Sequence, residues 1–168
     1  MNLILCGMMG CGKSTVGSCL AKSTEREYFD TDAVIVQRHG KIADIFERFG
    51  ETYFRALETQ TVKELVQKNG LVISTGGGLV LRQENVDLLK YNGKIVFLRA
   101  KVDTLLKRLQ ADKERPLLQN ATDLRKRLEG LLSERTEHYE KAADLIVDVD
   151  GKTPQEIVDE IIERIGQV

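Results

Sequence analysis

One stretch, Gly7-Met8-Met9-Gly10-Cys11-Gly12-Lys13-Ser14, constrains the fold of this chain more than any other. It satisfies the pattern Gly-x-x-x-x-Gly-Lys-Ser/Thr, and it sits between a short apolar run, Leu3–Cys6, and a stretch with helical spacing. In that setting the glycines let the backbone wrap its N–H groups inward around phosphate oxygens. The start of the following helix adds partial positive charge at the same place. Lys13 has the length to reach outer phosphates, and Ser14 offers a hydroxyl to a magnesium ion. Gly10, Cys11, Gly12, Lys13, Ser14 and Thr15 are therefore the expected nucleotide cradle. Cys11 is either a small filler or a thiol whose pKa the helix start lowers; on the second reading, alkylating it blocks nucleotide binding.

A strand–loop–helix unit of this kind belongs to an α/β fold, and the rest of the chain agrees. Further apolar runs lie at Tyr28–Phe29, Leu71–Ile73, Ile95–Leu98 and Leu145–Val147, separated by charged segments with helical spacing. Strands alternating with helices predict a parallel sheet covered on both faces. At 168 residues one domain, 1–168, is expected. Apolar residues at 42% are enough for a core, and a net charge of -1 gives no bulk attraction to nucleic acid. No apolar run approaches the roughly 20 residues that span a bilayer. Three cysteines clustered in the first 20 residues fit a reducing cytosol better than a disulfide framework or a zinc site. Thr153-Pro154-Gln155-Glu156 reads as a capped helix start, with Ile157, Ile161, Ile162 and Ile165 as one buried stripe. The polar stretch 110–122, containing Arg115-Pro116, reads as a long loop of the kind that forms lids.

Several charges stand in revealing places. Asp30 and Asp32 end the second apolar run; in an extended chain they point the same way, at the strand end where ligands of open α/β sheets bind. Such a pair serves a metal and an acceptor hydroxyl, or else Asp32 merely caps a helix. Glu58 falls on the apolar face of a helix over 51–67 that carries Phe54, Leu57, Thr61 and Leu65. Either Glu58 makes an ordinary surface ion pair with Arg55, or it holds Arg55 rigid for gripping an anion. Arg135 lies on the stripe of Leu124, Leu128 and Leu131, where it either snorkels to water or points into the cleft. His138 near that stripe is read as structural. Gly76-Gly77-Gly78 suggests a tight turn whose backbone comes close to a ligand.

Taken in order, the loop at 7–14, Phe-Asp-Thr-Asp at 29–32, Phe-Arg-x-x-Glu at 54–58, Ser-Thr-Gly-Gly-Gly at 74–78, Arg-Pro-Leu-Leu at 115–118 and Arg-x-x-x-Tyr at 135–139 resemble the bacterial and plant shikimate kinases over nearly the whole chain. The resemblance implies a three-layer P-loop NTPase fold of the nucleoside monophosphate kinase type, a five-stranded parallel sheet flanked by helices. It implies a cytoplasmic, monomeric enzyme that uses ATP and Mg2+ to phosphorylate the 3-hydroxyl of shikimate. Asp32 would bind substrate hydroxyls and act as base or orienter. Arg55 and Arg135 would grip the carboxylate, the Gly77 backbone would contact a hydroxyl, and Gly76 and Gly78 would also bind the substrate. Ser14 and Asp30 would hold the metal, Arg115 would reach the phosphates from the lid, and Arg108 and Pro154 would border the adenine. A small P-loop kinase acting on gluconate or a nucleoside monophosphate shares the loop. A GTP-dependent switch is disfavoured, because the chain has no Asn-Lys-x-Asp segment.

Overall fold

The structure is a computed structural model, and it describes residues 1–111 and 121–166. Among the described residues, five strands are interspersed with seven α-helices. β1 (Asn2–Cys6) leads through the glycine loop into α1 (Lys13–Ser23), and β2 (Glu27–Asp30) runs directly into α2 (Thr31–His39). α3 (Ile42–Leu65) breaks at Gly50, whose φ of 81° is left-handed, so it is two helical segments meeting at a kink. β3 (Leu71–Ser74) is followed by the glycine turn, a 3-10 turn (Leu79–Leu81) and α4 (Gln83–Tyr91). β4 (Gly93–Arg99), α5 (Val102–Ala111), α6 (Ala121–Ala142), β5 (Leu145–Asp148) and α7 (Pro154–Ile165) complete the chain.

All the pairings are parallel and the strand order is β2-β3-β1-β4-β5. Every residue of β1 and β3 is buried, which is why these strands read as unbroken apolar runs. β1 lies between β3 and β4, with Leu3 opposite Val72 on one side and Lys94 on the other. This order places the segments that follow β2, β3 and β1 side by side beyond the C-terminal ends of the strands. At the N-terminal ends, the buried Asn2 side chain donates to Lys68 O and accepts from Leu71 N, both at 2.9 Å, and so fixes where β3 begins.

Most buried side chains form one cluster around the sheet. A second, smaller cluster stands apart. Ile35 of α2 packs there with Ile45 and Phe54 of α3, and Ile42 and Leu57 pack against them. The start of α7 has the expected capping box: Thr153 Oγ1 accepts from Glu156 N while Glu156 accepts from Thr153 N. The expected stripe on α7 is narrower than the sequence suggested. Ile157, Val158 and Ile161 are buried, Ile165 is half-buried and Ile162 is exposed, because Ile162 lies about 100° around the helix from Ile161. Of the expected loop at 110–122, Gln110, Ala111, Ala121 and Thr122 are helical; 112–120, including Arg115 and Pro116, lie outside the described residues.

Candidate active site

The cradle starts where β1 ends. Gly7, Gly10 and Gly12 all have positive φ, and Gly12, at 101°, is the last residue before α1. A side chain at Gly7 would put a Cβ 2.7 Å from Leu98 O, so the turn requires glycine for space as well as for conformation. The Lys13 ammonium is folded back over the loop and donates to Gly7 O at 2.8 Å and Met8 O at 2.9 Å. It must exchange these carbonyls for phosphate oxygens when a nucleotide enters. Arg108 NH1 donates to Cys11 O at 2.8 Å, so α5 is pinned to the loop by a guanidinium.

Asp30 and Asp32 lie together but not as an extended pair. α2 begins at Thr31, and it is Asp30 that caps the helix, accepting from Asp32 N at 2.9 Å and Ala33 N at 3.1 Å. The other Asp30 oxygen accepts from Ser14 Oγ at 3.3 Å. A hydroxyl and a carboxylate meeting at the mouth of the cradle are the oxygen donors that suit a hard divalent cation such as Mg2+. Asp32, on the first turn of α2, keeps Oδ1 buried and without a hydrogen-bond partner among the described residues. Burial, and then the charge of Asp30, push its carboxyl above the ordinary value, against the pull of Lys13 and Arg55. A buried carboxylate oxygen left without a donor is costly to a fold, and such orphans often mark functional positions.

The glycine turn is crowded by protein groups rather than bent by positive φ. A Cβ on Gly76 would lie 2.6 Å from Asp32 Oδ1, and one on Gly78 would lie 2.5 Å from an Arg55 guanidinium nitrogen. The glycines thus let the acid and the guanidinium come up against the backbone. Gly76 N donates to Thr31 Oγ1 at 3.0 Å, and Gly77 O accepts from the Tyr139 hydroxyl at 2.6 Å. Arg55 NH1 donates to Glu58 Oε2 at 2.7 Å, and Glu58 is 1% exposed. Glu58 is thus buried while Arg55 reaches it from a half-buried position at the cleft. Burial lifts the Glu58 carboxyl above its ordinary value while Arg55 opposes that rise. Arg135 is half-buried and aims at the same turn, its NH1 standing 3.2 Å from where a Gly77 Cβ would be.

Two cavities result. One of about 500 Å³ is lined by Gly10, Gly12, Lys13, Ser14, Thr15 and Arg108, together with both aspartates. The other, of about 260 Å³, is lined by Arg55, Glu58, Gly78 and Arg135 among others. They share Met9, Asp32, Gly76 and Gly77. A further cavity of about 590 Å³ beside the ends of β4 and β5 has its acids already engaged, Asp148 by Arg99 and Asp150 by Lys101 N and Thr104.

Pro154 is exposed at the start of α7, beyond the lining of the cradle cavity. Two expectations change. Cys11 is buried beneath the loop at 1% exposure, so a thiol reagent does not reach it in the folded protein; the half-exposed thiol is Cys19, which donates to Gln155 Oε1 at 3.4 Å. His138 is exposed, beside Arg82, Glu134 and Arg135, and is not packed. Arg115 lies outside the described residues. Sequence reasoning assigned nothing to Thr31 or Tyr139. Tyr139 follows Arg135 by one helical turn and so shares its face, which was the available signal.

Comparison with known proteins finds the same architecture. The family model described as shikimate kinase matches residues 9–166. A shikimate kinase of Sulfurihydrogenibium sp. (strain YO3AOP1) is 42% identical over 165 residues, covering 98% of this chain and 97% of the relative. The structure of shikimate kinase from Acinetobacter baumannii in complex with shikimate superposes with a TM-score of 0.90 at 36% identity, covering 99% of this chain and 93% of that one. The Aquifex aeolicus shikimate kinase structure gives 0.84 at 40% identity, over 99% and 96%.

Proposed function

The chain belongs to the shikimate kinase family, and from that premise we propose that it transfers the terminal phosphoryl group of ATP to the 3-hydroxyl of shikimate. The observation that carries this reading is that the two cavities share Asp32, Gly76 and Gly77 in their linings, so a carboxylate stands where they meet.

In this reading the phosphates lie in the cradle, held by loop N–H groups and by Lys13 once it leaves the loop carbonyls. Ser14 and Asp30 hold Mg2+, which neutralises phosphate charge when bound. Shikimate occupies the smaller cavity with its carboxylate on the forks of Arg55 and Arg135, a planar anion on planar donors. Its hydroxyl then faces Asp32, which takes or orients the hydroxyl proton as the oxygen attacks. Little covalent work falls to the protein in phosphoryl transfer, so holding donor and acceptor in line is the main contribution. Glu58 fixes the Arg55 fork in advance. By the family resemblance Arg115 closes over the phosphates, and Arg108 and Pro154 border the adenine. The same reading makes the protein a cytoplasmic monomer that acts on a small molecule without nucleic-acid or membrane partners.

A coupled assay of ADP release tests the proposal. Release from ATP and Mg2+ should rise by orders of magnitude with shikimate and stay at background with gluconate or a nucleoside monophosphate. Equal rates with and without shikimate would refute it.

A further inference from the structure

The two buried hydroxyls that touch the glycine turn have no part in the scheme above. Thr31 and Tyr139 are both 0% exposed, and they come from opposite sides of the cleft, Thr31 from the start of α2 and Tyr139 from α6. Thr31 Oγ1 accepts from Gly76 N, and the Tyr139 hydroxyl donates to Gly77 O. One bond fixes the peptide before Gly76 and the other fixes the peptide after Gly77. The peptide between them carries the Gly77 N–H, which has no acceptor among the described residues and lies at the boundary of the two cavities.

The ring of Tyr139 is equally constrained. It lies against Phe97 with centroids 5.0 Å apart, and its hydroxyl is 3.8 Å from Met8 Sδ under the cradle. Arg135 is one helical turn earlier on α6, so whatever sets α6 against the turn also sets the position of the Arg135 fork. Leu79 N and Leu81 N hold the carbonyls of Gly76 and Gly78, so the Tyr139 hydroxyl is the partner that holds the remaining one, Gly77 O, against a flip that glycine's backbone freedom would permit.

We infer that Tyr139, with Thr31 as its counterpart, is a positioning residue for the acceptor: its hydroxyl holds the Gly77 carbonyl so that the Gly77 N–H points into the acceptor cavity, and it registers Arg135 against that N–H. The inference rests on the reading of that cavity as the shikimate site. Neither residue touches the reacting atoms. The effect is on acceptor affinity and alignment, while the nucleotide cradle, whose loop geometry is set by Gly7, Gly10 and Gly12, is left intact.

The test is calorimetric binding of shikimate and, separately, of Mg·ADP to wild type, Tyr139→Phe and Thr31→Val, with steady-state kinetics on each. Tyr139→Phe keeps the ring and its packing and removes only the hydroxyl. Loss of one buried hydrogen bond should weaken shikimate about five- to tenfold. Mg·ADP should change by less than about twofold on the same reasoning, since the variant takes from the cradle only a long contact to Met8 Sδ. Thr31→Val should repeat the selectivity, which protects the test if either variant folds poorly. A purely structural role predicts a lower melting temperature with both ligands weakened alike, and that result overturns the inference. So does unchanged shikimate binding in Tyr139→Phe. If wild type itself binds no shikimate, the acceptor assignment fails and takes this inference with it, whereas wild-type binding with an indifferent variant sinks the inference alone.

Discussion

Replacing Gly78 by alanine separates the demands of the fold from those of the site. The backbone there is at φ -95°, ψ -7°, which alanine adopts without strain. The new methyl would nevertheless sit 2.5 and 2.7 Å from the two terminal nitrogens of Arg55 and 2.8 Å from Cζ, so the guanidinium has to leave. It is the end of a flexible side chain, and moving it costs the fold its contact with the buried Glu58 and, to a lesser degree, the exposed Glu51 bond and its place over the Phe54 ring. Weakening a hydrogen bond to a charged group costs about 1.5–3 kcal/mol, partly offset by about 0.4–1 kcal/mol from the stiffer unfolded chain. At about 2–4 °C per kcal/mol for a chain of this size, melting should fall by less than about 10 °C. The acceptor loses much more in relative terms. Losing the Arg55 fork on its carboxylate should also cost about 1.5–3 kcal/mol, which is roughly a 10- to 100-fold rise in the shikimate dissociation constant. Calorimetry with shikimate and Mg·ADP, alongside a thermal melt, reads all three quantities. Gly130→Ala is the control, since nothing lies within 4 Å of its added methyl; it should stabilise α6 and leave both affinities alone. Undiminished shikimate binding in Gly78→Ala would show that Arg55 does not need the place it occupies, and the account of the glycine turn would fail.

Other outcomes follow from the same geometry. Asp32→Asn should abolish most turnover yet raise the melting temperature at neutral pH. The raised carboxyl favours its protonated form in the fold, so the ionised group is a liability there, and the gap to the variant should close as pH falls toward 3.8; melts across that range decide it. For the same reason the acid limb of the wild-type rate profile should lie above the ordinary carboxylate value, which a pH series of kcat/KM checks. In the native protein one thiol, Cys19, should react quickly with a chromogenic disulfide while Cys6 and Cys11 wait for denaturant; protection of a rapidly reacting Cys11 by ATP would contradict its burial. Asn85→Ala removes the amide that accepts from Thr59 and donates to Leu79 O, both at 2.8 Å, and should cost about 2 kcal/mol in a urea melt.

Much of this was written locally in the chain. Buried parallel strands are apolar on both faces, so β1, β3 and β4 announced themselves as apolar runs, the edge strands β2 and β5 gave shorter ones, and the capping box at Thr153 announced α7. The cradle was legible because its chemistry occupies eight consecutive residues. The acidic pair was found, but which carboxylate caps α2 depends on a helix start at Thr31 that no local pattern fixed to the residue. Arg55 and Glu58 betrayed themselves by a charge on an apolar face, yet only the fold could decide that Glu58 is buried. The reason for three glycines was hidden altogether, since the groups that crowd them come from residues as distant as Asp32 and Arg55. Tyr139 and Gly77 are 62 positions apart, and a single sequence carries no sign of a bond between them.

The small cluster of Ile35, Ile45 and Phe54 gives the molecule two unequal stabilities. The sheet and its cradle are anchored in the large core, but the segment bearing α2 and the first part of α3 has only this minor nucleus and meets the rest of α3 at the Gly50 kink. Such a unit opens at a free energy well below that of global unfolding. Ile42 and Phe54, which line the acceptor cavity, belong to this weaker unit, so that wall is expected to open before the glycine loop, which is anchored in the large core.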